Sequence, residues 1–290
     1  MEAGAAVDAR NADGWAPLHR AAFNGKDACV AALMEAGASL DGRTTEGDMA
    51  LHLAVEGGHD ACLLALLDEG AAVGARTGGA SGGLSALHFA AARGHESCVR
   101  LLIGRGARVE AATADEGTTP LHYAAACGQE ACLKILIEND AAAAGAADGD
   151  GNTALHLAAA YGQGPCVRLL IESGAAVDAV NGEGWTAALC ASRNGERSCL
   201  ALLIDGGAAV DATAGGGGCT ALHLAAEDGH GACVRLLLER GAAADARNGD
   251  GQTAMHVAAE EGHADCLAAL LAQGADASLR DGDGDTPLDC

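Results

Sequence analysis

The sequence predicts an all-α protein, a solenoid of stacked helix-turn-helix units joined by β-turn or hairpin loops. Three observations predict it. The position that holds His19 recurs at 52, 88, 122, 156, 189, 223, 256 and 289, in steps of 33 to 36 residues, and a period of this size marks a stacked repeat. Half of the 290 residues are hydrophobic but only 2% are aromatic. A single globular core of this size would use more large side chains, so thin packing between small elements is expected. Each period also carries helix punctuation: a capping Thr, a Leu-His pair, a glycine between two apolar runs, and a Gly-Ala stop.

Eight full copies result from this register, at 11–43, 44–79, 80–113, 114–147, 148–180, 181–214, 215–247 and 248–280. The end of a truncated copy is expected at 1–10 and the start of a partial one at 281–290. Met1 aligns with Met34, so the chain is expected to begin inside a second helix, and TPLDC (286–290) to stop inside a first one. Either the chain is a fragment of a longer array or both ends fray.

The fifth copy shows the physics. Thr153 suits an N-cap and Ala154 the first helical position. Leu155 to Tyr161 gives a short helix that Gly162 ends. Pro165 to Ser173 gives a second one, with apolar Val167, Leu169, Leu170 and Ile171, and Gly174 ends it. Pro17, Pro120 and Pro287 come directly after the cap position and Pro165 opens a second helix, where a missing N–H costs little. Neither helix can bury its apolar face alone, so the copies must stack. There are departures. Ala16 and Met49 replace the capping Thr, at about 1 kcal/mol each. Copy six has Leu189 for His and Ala188 for Leu, which predicts a soft spot near 186–195. Residues 74–83, GARTGGASGG, lengthen the loop before copy three.

TPLHYAA (119–125), TALHLAA (153–159 and 220–226) and TAMHVAA (253–259), each succeeded by a Leu-Leu or Leu-Ile run and most by Gly-Ala, resemble the ankyrin repeat, over essentially the whole chain. The resemblance implies a protein-binding scaffold with no catalysis of its own. It also implies that the Leu-His histidine is structural, bonding the turn of its own and of a neighbouring copy.

Histidine and cysteine ten residues apart, as in His156 and Cys166, recur along the chain and raise the question of a metal site or a nucleophile with its base. Eight cysteines (29, 62, 98, 132, 166, 199, 233 and 266) share one slot in the second helix. That slot usually holds an aliphatic side chain, and buried cysteine is a small hydrophobe. Copies stacked about 8–10 Å apart leave Cα atoms too distant for disulfides, which need about 7 Å or less. The close C-x-x-C spacing of zinc sites is missing, and copy six keeps Cys199 without its histidine. Architecture is therefore expected, with no catalytic, cofactor-binding or metal-binding residue. Thiol reactivity is expected at Cys127, Cys190, Cys219 and Cys290, outside the slot. DGDGN (148–152) and DGDGD (281–285) begin like EF-hand loops but lack Gly sixth and Glu twelfth. GGGG (215–218) lacks the Gly-Lys of a phosphate loop. All three read as turns.

With 17 basic and 40 acidic residues, a net charge of −23 repels nucleic acid and favours a basic partner segment. No apolar run is long enough to span a membrane. The first ten residues lack a secretory pattern, and the cysteine content is well below that of a disulfide scaffold. An intracellular setting, cytoplasmic or nuclear, and a monomer are expected.

The resemblance implies a binding surface on the concave side, made of turn tips and first-helix ends. Four of the six aromatics, Trp15, Phe23, Tyr161 and Trp185, map there, and aromatic anchors dominate binding energies. Arg93, Arg193, Glu227, Asp228, Glu260 and Glu261 complete the candidate set. Tyr161 and Trp185 are expected to form an aromatic pocket with Arg193 on its rim, the acidic pairs of copies seven and eight lying beyond it. Two rival readings are a targeting or regulatory segment of a larger enzyme whose catalytic domain lies outside this chain, and a thiol or metal store.

Overall fold

The computed structural model describes residues 6–78 and 83–289. The truncated copy at 1–10 and the loop extension at 74–83 therefore lie partly outside the described residues, and Cys290 wholly so. The chain divides into two compact units, 1–143 and 144–290.

Unit one holds four helix pairs: α1 (Pro17–Phe23) with α2 (Asp27–Glu35), α3 (Ala50–Glu56) with α4 (Asp60–Asp68), α5 (Ala86–Arg93) with α6 (Glu96–Gly104), and α7 (Pro120–Ala126) with α8 (Glu130–Asn139). Unit two holds four more: α9 (Ala154–Ala160) with α10 (Gly164–Glu172), α11 (Ala187–Arg193) with α12 (Arg197–Asp205), α13 (Ala221–Glu227) with α14 (Gly231–Glu239), and α15 (Ala254–Glu260) with α16 (Ala264–Ala272). Within each unit first helices pack on first helices and second on second. No strand forms among the described residues. Hairpin character is confined to single bridges, Arg76 with Ser85, Ala147 with Thr153 and Thr213 with Thr220. Thr286–Asp289, expected to start a helix, forms only a turn.

First helices of seven or eight residues are too short to persist alone. Packing holds them: Leu18, Leu51, Leu87, Leu121, Leu155 and Leu222 are buried against second-helix residues such as Leu66, Leu102, Leu136, Leu170 and Leu237. Each buried leucine contributes about 1.5–3 kcal/mol. Buried alanines beside them, such as Ala54, Ala90 and Ala158, let helices approach closely.

The Leu-His histidines tie the copies. The cap backbone N–H donates to Nδ1 of the imidazole three residues on, at 3.1 Å in Thr153–His156 and 3.0 Å in Ala16–His19. The bond survives at Ala16 and Met49, because it uses the backbone. Nε2–H donates to a turn carbonyl: Gly42 and Ala75 of the same copy for His19 and His52, but the tip of the next copy for His88 (Thr118), His156 (Trp185) and His223 (Gln252). A carbonyl at Nε2 and an N–H at Nδ1 fix the neutral tautomer. Burial pulls His52 and His88 down to about 4, against the raising effect of the carbonyl bond, and lowers His19, His156 and His223 as well.

A second histidine row escapes sequence reasoning. His59, His95, His230 and His263 reach back to the final carbonyls of the preceding first helix, at Phe23, Glu56, Arg193 and Glu227, groups a helix end leaves unsatisfied. The glycine of the preceding copy makes room. Gly25 sits at φ +62° with a hypothetical Cβ 2.5 Å from the His59 ring, and Gly229 at φ +72° with one 2.7 Å from His263. Both the left-handed backbone and the contact demand glycine there.

Turn rows differ between the units. In unit two, Asp178, Asp211 and Asp245 accept from the backbone N–H of Ala209, Ala243 and Asp276 in the next copy, at 2.9–3.0 Å. Unit one has this bond at Asp8 to Ser39; Asp41 stands at the next position of the row, and Gly74 and Glu110 at the two after it. Arg10 and Arg43 donate to the carbonyls of Arg43 and Arg76, and in unit two Arg247 donates likewise to the carbonyl of Arg280. At position 289 an aspartate replaces the histidine, its carboxylate accepting from the N–H and hydroxyl of Thr286.

The cysteine slot is buried at 62, 98, 132, 166, 199, 233 and 266, but Cys29 is exposed, against expectation. The slot faces the preceding copy: the thiols of Cys132, Cys199 and Cys266 point at the carbonyls of Ala90, Ala158 and Ala225, and Cys98 donates to Asp60 at 3.1 Å. No helix pair precedes copy one among the described residues, so nothing covers Cys29.

Candidate functional site

In copies one, six and eight the turn tip meets the residue eight positions on, at the end of the first helix. Trp15 meets Phe23 edge-to-face at 5.5 Å, Trp185 meets Arg193 at 5.9 Å, and Gln252 donates to Glu260 at 3.2 Å. The tip is held by an Asx turn. Asn181 Oδ1 accepts from Glu183 and Trp185, Asn11 from Asp13 and Trp15, and Asp148 from Asp150 and Asn152. The carboxylates of DGDGN and DGDGD are thus engaged in shaping turns, Asp281 likewise bonding Asp283 and Asp285.

In unit one Trp15 is half-buried and Phe23 exposed. With Asp13, Arg20 and Asn24 they line an open cleft of about 300 Å³, the Arg20 guanidinium lying 5.9 Å from the Trp15 ring centre. Arg93 stands apart from this cluster and pairs with Glu56 of the preceding copy at 2.7 Å. Asp48, the tip of copy two, has one buried carboxylate oxygen with no hydrogen bond. Burial, then Glu46 and Glu56, raise its pKa. An acidic tip eight residues before an acidic helix end was the signal available for it.

In unit two Tyr161 is 63% exposed at the end of α9. Trp185 is half-buried. No ring contact joins these two among the described residues, so the expected pocket between them is replaced by another arrangement. Arg193 turns away from Tyr161's copy, lies over the Trp185 ring and reaches copy seven, with Nε 2.8 Å from Asp228 and Nη1 3.4 Å from Glu227. Glu260 and Glu261 are exposed, and no ion pair involves them among the described residues.

The imidazoles of the Leu-His row are committed to structural bonds. Both nitrogens of His156 are engaged, as are those of His88 and His223. Burial pushes the thiols of Cys132, Cys199 and Cys233 up to about 11 and raises Cys98 further, helped by Asp60; a thiolate is the reactive form. Outside the slot, Cys127 is exposed, whereas the half-buried Cys190 is also pushed up to about 11 by burial. No group of three or more His, Cys, Asp or Glu is placed to hold a metal ion among the described residues.

A family model described as ankyrin repeats (3 copies) matches residues 1–77, 72–146, 141–214 and 209–281. The chain belongs to the ankyrin repeat family. Ankyrin repeats are generally protein-interaction modules and typically non-catalytic. No curated protein matches the chain. No helix among the described residues is long and apolar enough to cross a membrane.

Proposed function

We propose that the chain is a scaffold that holds a partner protein or peptide on the face made of turn tips and first-helix ends, without catalysis of its own. One observation carries this reading: exposed and half-buried aromatic and acidic side chains gather on that register in unit two, where Tyr161, the Trp185–Arg193 pair, Glu227, Asp228, Glu260 and Glu261 succeed one another copy by copy. The partner places an apolar side chain near Tyr161 and Trp185 and basic residues toward Glu260 and Glu261. Trp15 and Phe23 offer a separate contact in unit one. Buried, protonated thiols suit a reducing intracellular compartment, and the chain works as a monomer, which sedimentation checks.

Photo-cross-linking tests the surface. A benzophenone amino acid in place of Tyr161 should trap the partner, whereas the same group in place of the exposed Arg168 on α10 should not. Equal trapping at both positions would move the site off this face.

A further inference from the structure

We infer that Trp185, Glu227 and Asp228 form a site for a partner's guanidinium group, and that Arg193 of this chain occupies it in the unbound protein. The inference rests on the scaffold reading and names the chemistry of one point on its surface.

The three groups come from two copies, and each offers a different attraction for a planar cation. Trp185 supplies a ring face, with the Arg193 guanidinium carbon 5.9 Å from its centre, within the range of a cation–π contact. Asp228 accepts from Nε at 2.8 Å and Glu227 from Nη1 at 3.4 Å. A guanidinium, unlike an ammonium, offers several in-plane donors and a stacking face together. Arg193 thus shows which chemistry the site holds and how it is oriented. The site is also built: Asn181 fixes the Trp185 backbone, the Trp185 carbonyl accepts from His156, and the Glu227 carbonyl accepts from His263.

Arg193 is held lightly. Its side chain is 41% exposed, and Glu227 and Asp228 are 41% and 35% exposed. Exposed pairs of this kind shift an equilibrium by only about 1.5- to 5-fold. A partner's arginine therefore displaces it readily, and the displaced side chain stays at the rim, where it repels a second cation. Arg193 acts as an internal competitor that lowers affinity for basic segments and favours partners able to fill the site in its place. Its backbone carbonyl bonds His230, a tie that side-chain substitution leaves in place.

Binding of a fluorescein-labelled hexa-arginine peptide to the whole chain, monitored by anisotropy at fixed ionic strength, tests this. Arg193→Gln should bind about three- to tenfold tighter than the parent. Arg168→Gln, with the same charge change on α10, should match the parent. Adding Glu227→Gln and Asp228→Asn to Arg193→Gln should return binding to the parent level or below. Circular dichroism confirms that each variant is folded. A gain of the same size in Arg168→Gln would reduce the effect to net charge and overturn the inference. If the two acid substitutions in the parent weaken binding while Arg193→Gln changes nothing, the carboxylates take the cation but Arg193 does not compete, so the inference falls and the scaffold reading stands. If no substitution at these positions changes binding, both fall at this point of the surface.

Discussion

Copies five and six lie side by side in unit two and share a capping Thr, an Asx-turn tip and a buried cysteine, yet differ in how the first helix is tied. In copy five His156 accepts from the Thr153 N–H and donates to the Trp185 carbonyl. In copy six Leu189, equally buried, can do neither; the Thr186 hydroxyl accepts from the Leu189 N–H at a long 3.4 Å, and Ser192 bonds back to Ala188. The burial is the same and the bonding is not. Apolar packing is enough to place a short helix, and the imidazole adds a link to the next copy.

Acid should break the comparison most strongly, because it attacks only copies that use an imidazole. His52 and His88 titrate at about 4 in the folded chain and near 6.5 when unfolded. The unfolded chain therefore binds more protons between these values. Stability is complete above about pH 6.5 and falls toward pH 4, by roughly 3 kcal/mol for each of the two. Hydrogen exchange should accelerate around these histidines over that window, while residues 186–195, expected to exchange fast already at neutral pH, should change least. Equal acid sensitivity at 186–195 would show that the imidazole bonds are not the cause.

Replacing His156 with Leu should make copy five behave like copy six. It strands a buried N–H and a carbonyl, at about 1–3 kcal/mol, measured by urea denaturation, with faster exchange over 153–160. Cysteine substitution sharpens the contrast. Cys166→Ala and Cys199→Ala should cost about the same, near 1 kcal/mol each, since both slots are closed and the difference between the copies lies in the first helix. A gap of more than about 1 kcal/mol would place it in the second helix as well. The smallest effect is expected from Leu189→His. It supplies the missing bonds but removes buried apolar surface, so the melting temperature should move little while exchange at 186–195 slows.

The period and the caps were legible because they depend on spacing within one copy; the structural role of the Leu-His pair came with the ankyrin resemblance. Thr153 and His156 lie three residues apart, and any helix start brings them together. Features that depend on contact between copies were not legible. Nothing local says that His19 turns to Gly42 while His88 reaches Thr118, or that His59 ties off the helix ended by Phe23. The exposure of Cys29 was missed because its cover belongs to the preceding copy. The candidate surface was legible as a register, but the direction Arg193 takes, away from Tyr161 and toward Asp228, depends on which neighbour offers a carboxylate at the right height.

The histidine row also sets a clock for synthesis. His156 finds its carbonyl 29 residues later in the chain, as do His223 and His256. At roughly 5–20 residues per second on the ribosome, each of these histidines waits about 1.5–6 seconds before its acceptor emerges. The cysteine slot points the other way, toward a copy already made. A nascent copy therefore settles first by its apolar contact with the copy before it and is bolted afterwards by the copy made next. Elongation pauses placed about one repeat apart would leave the growing end docked but not yet latched.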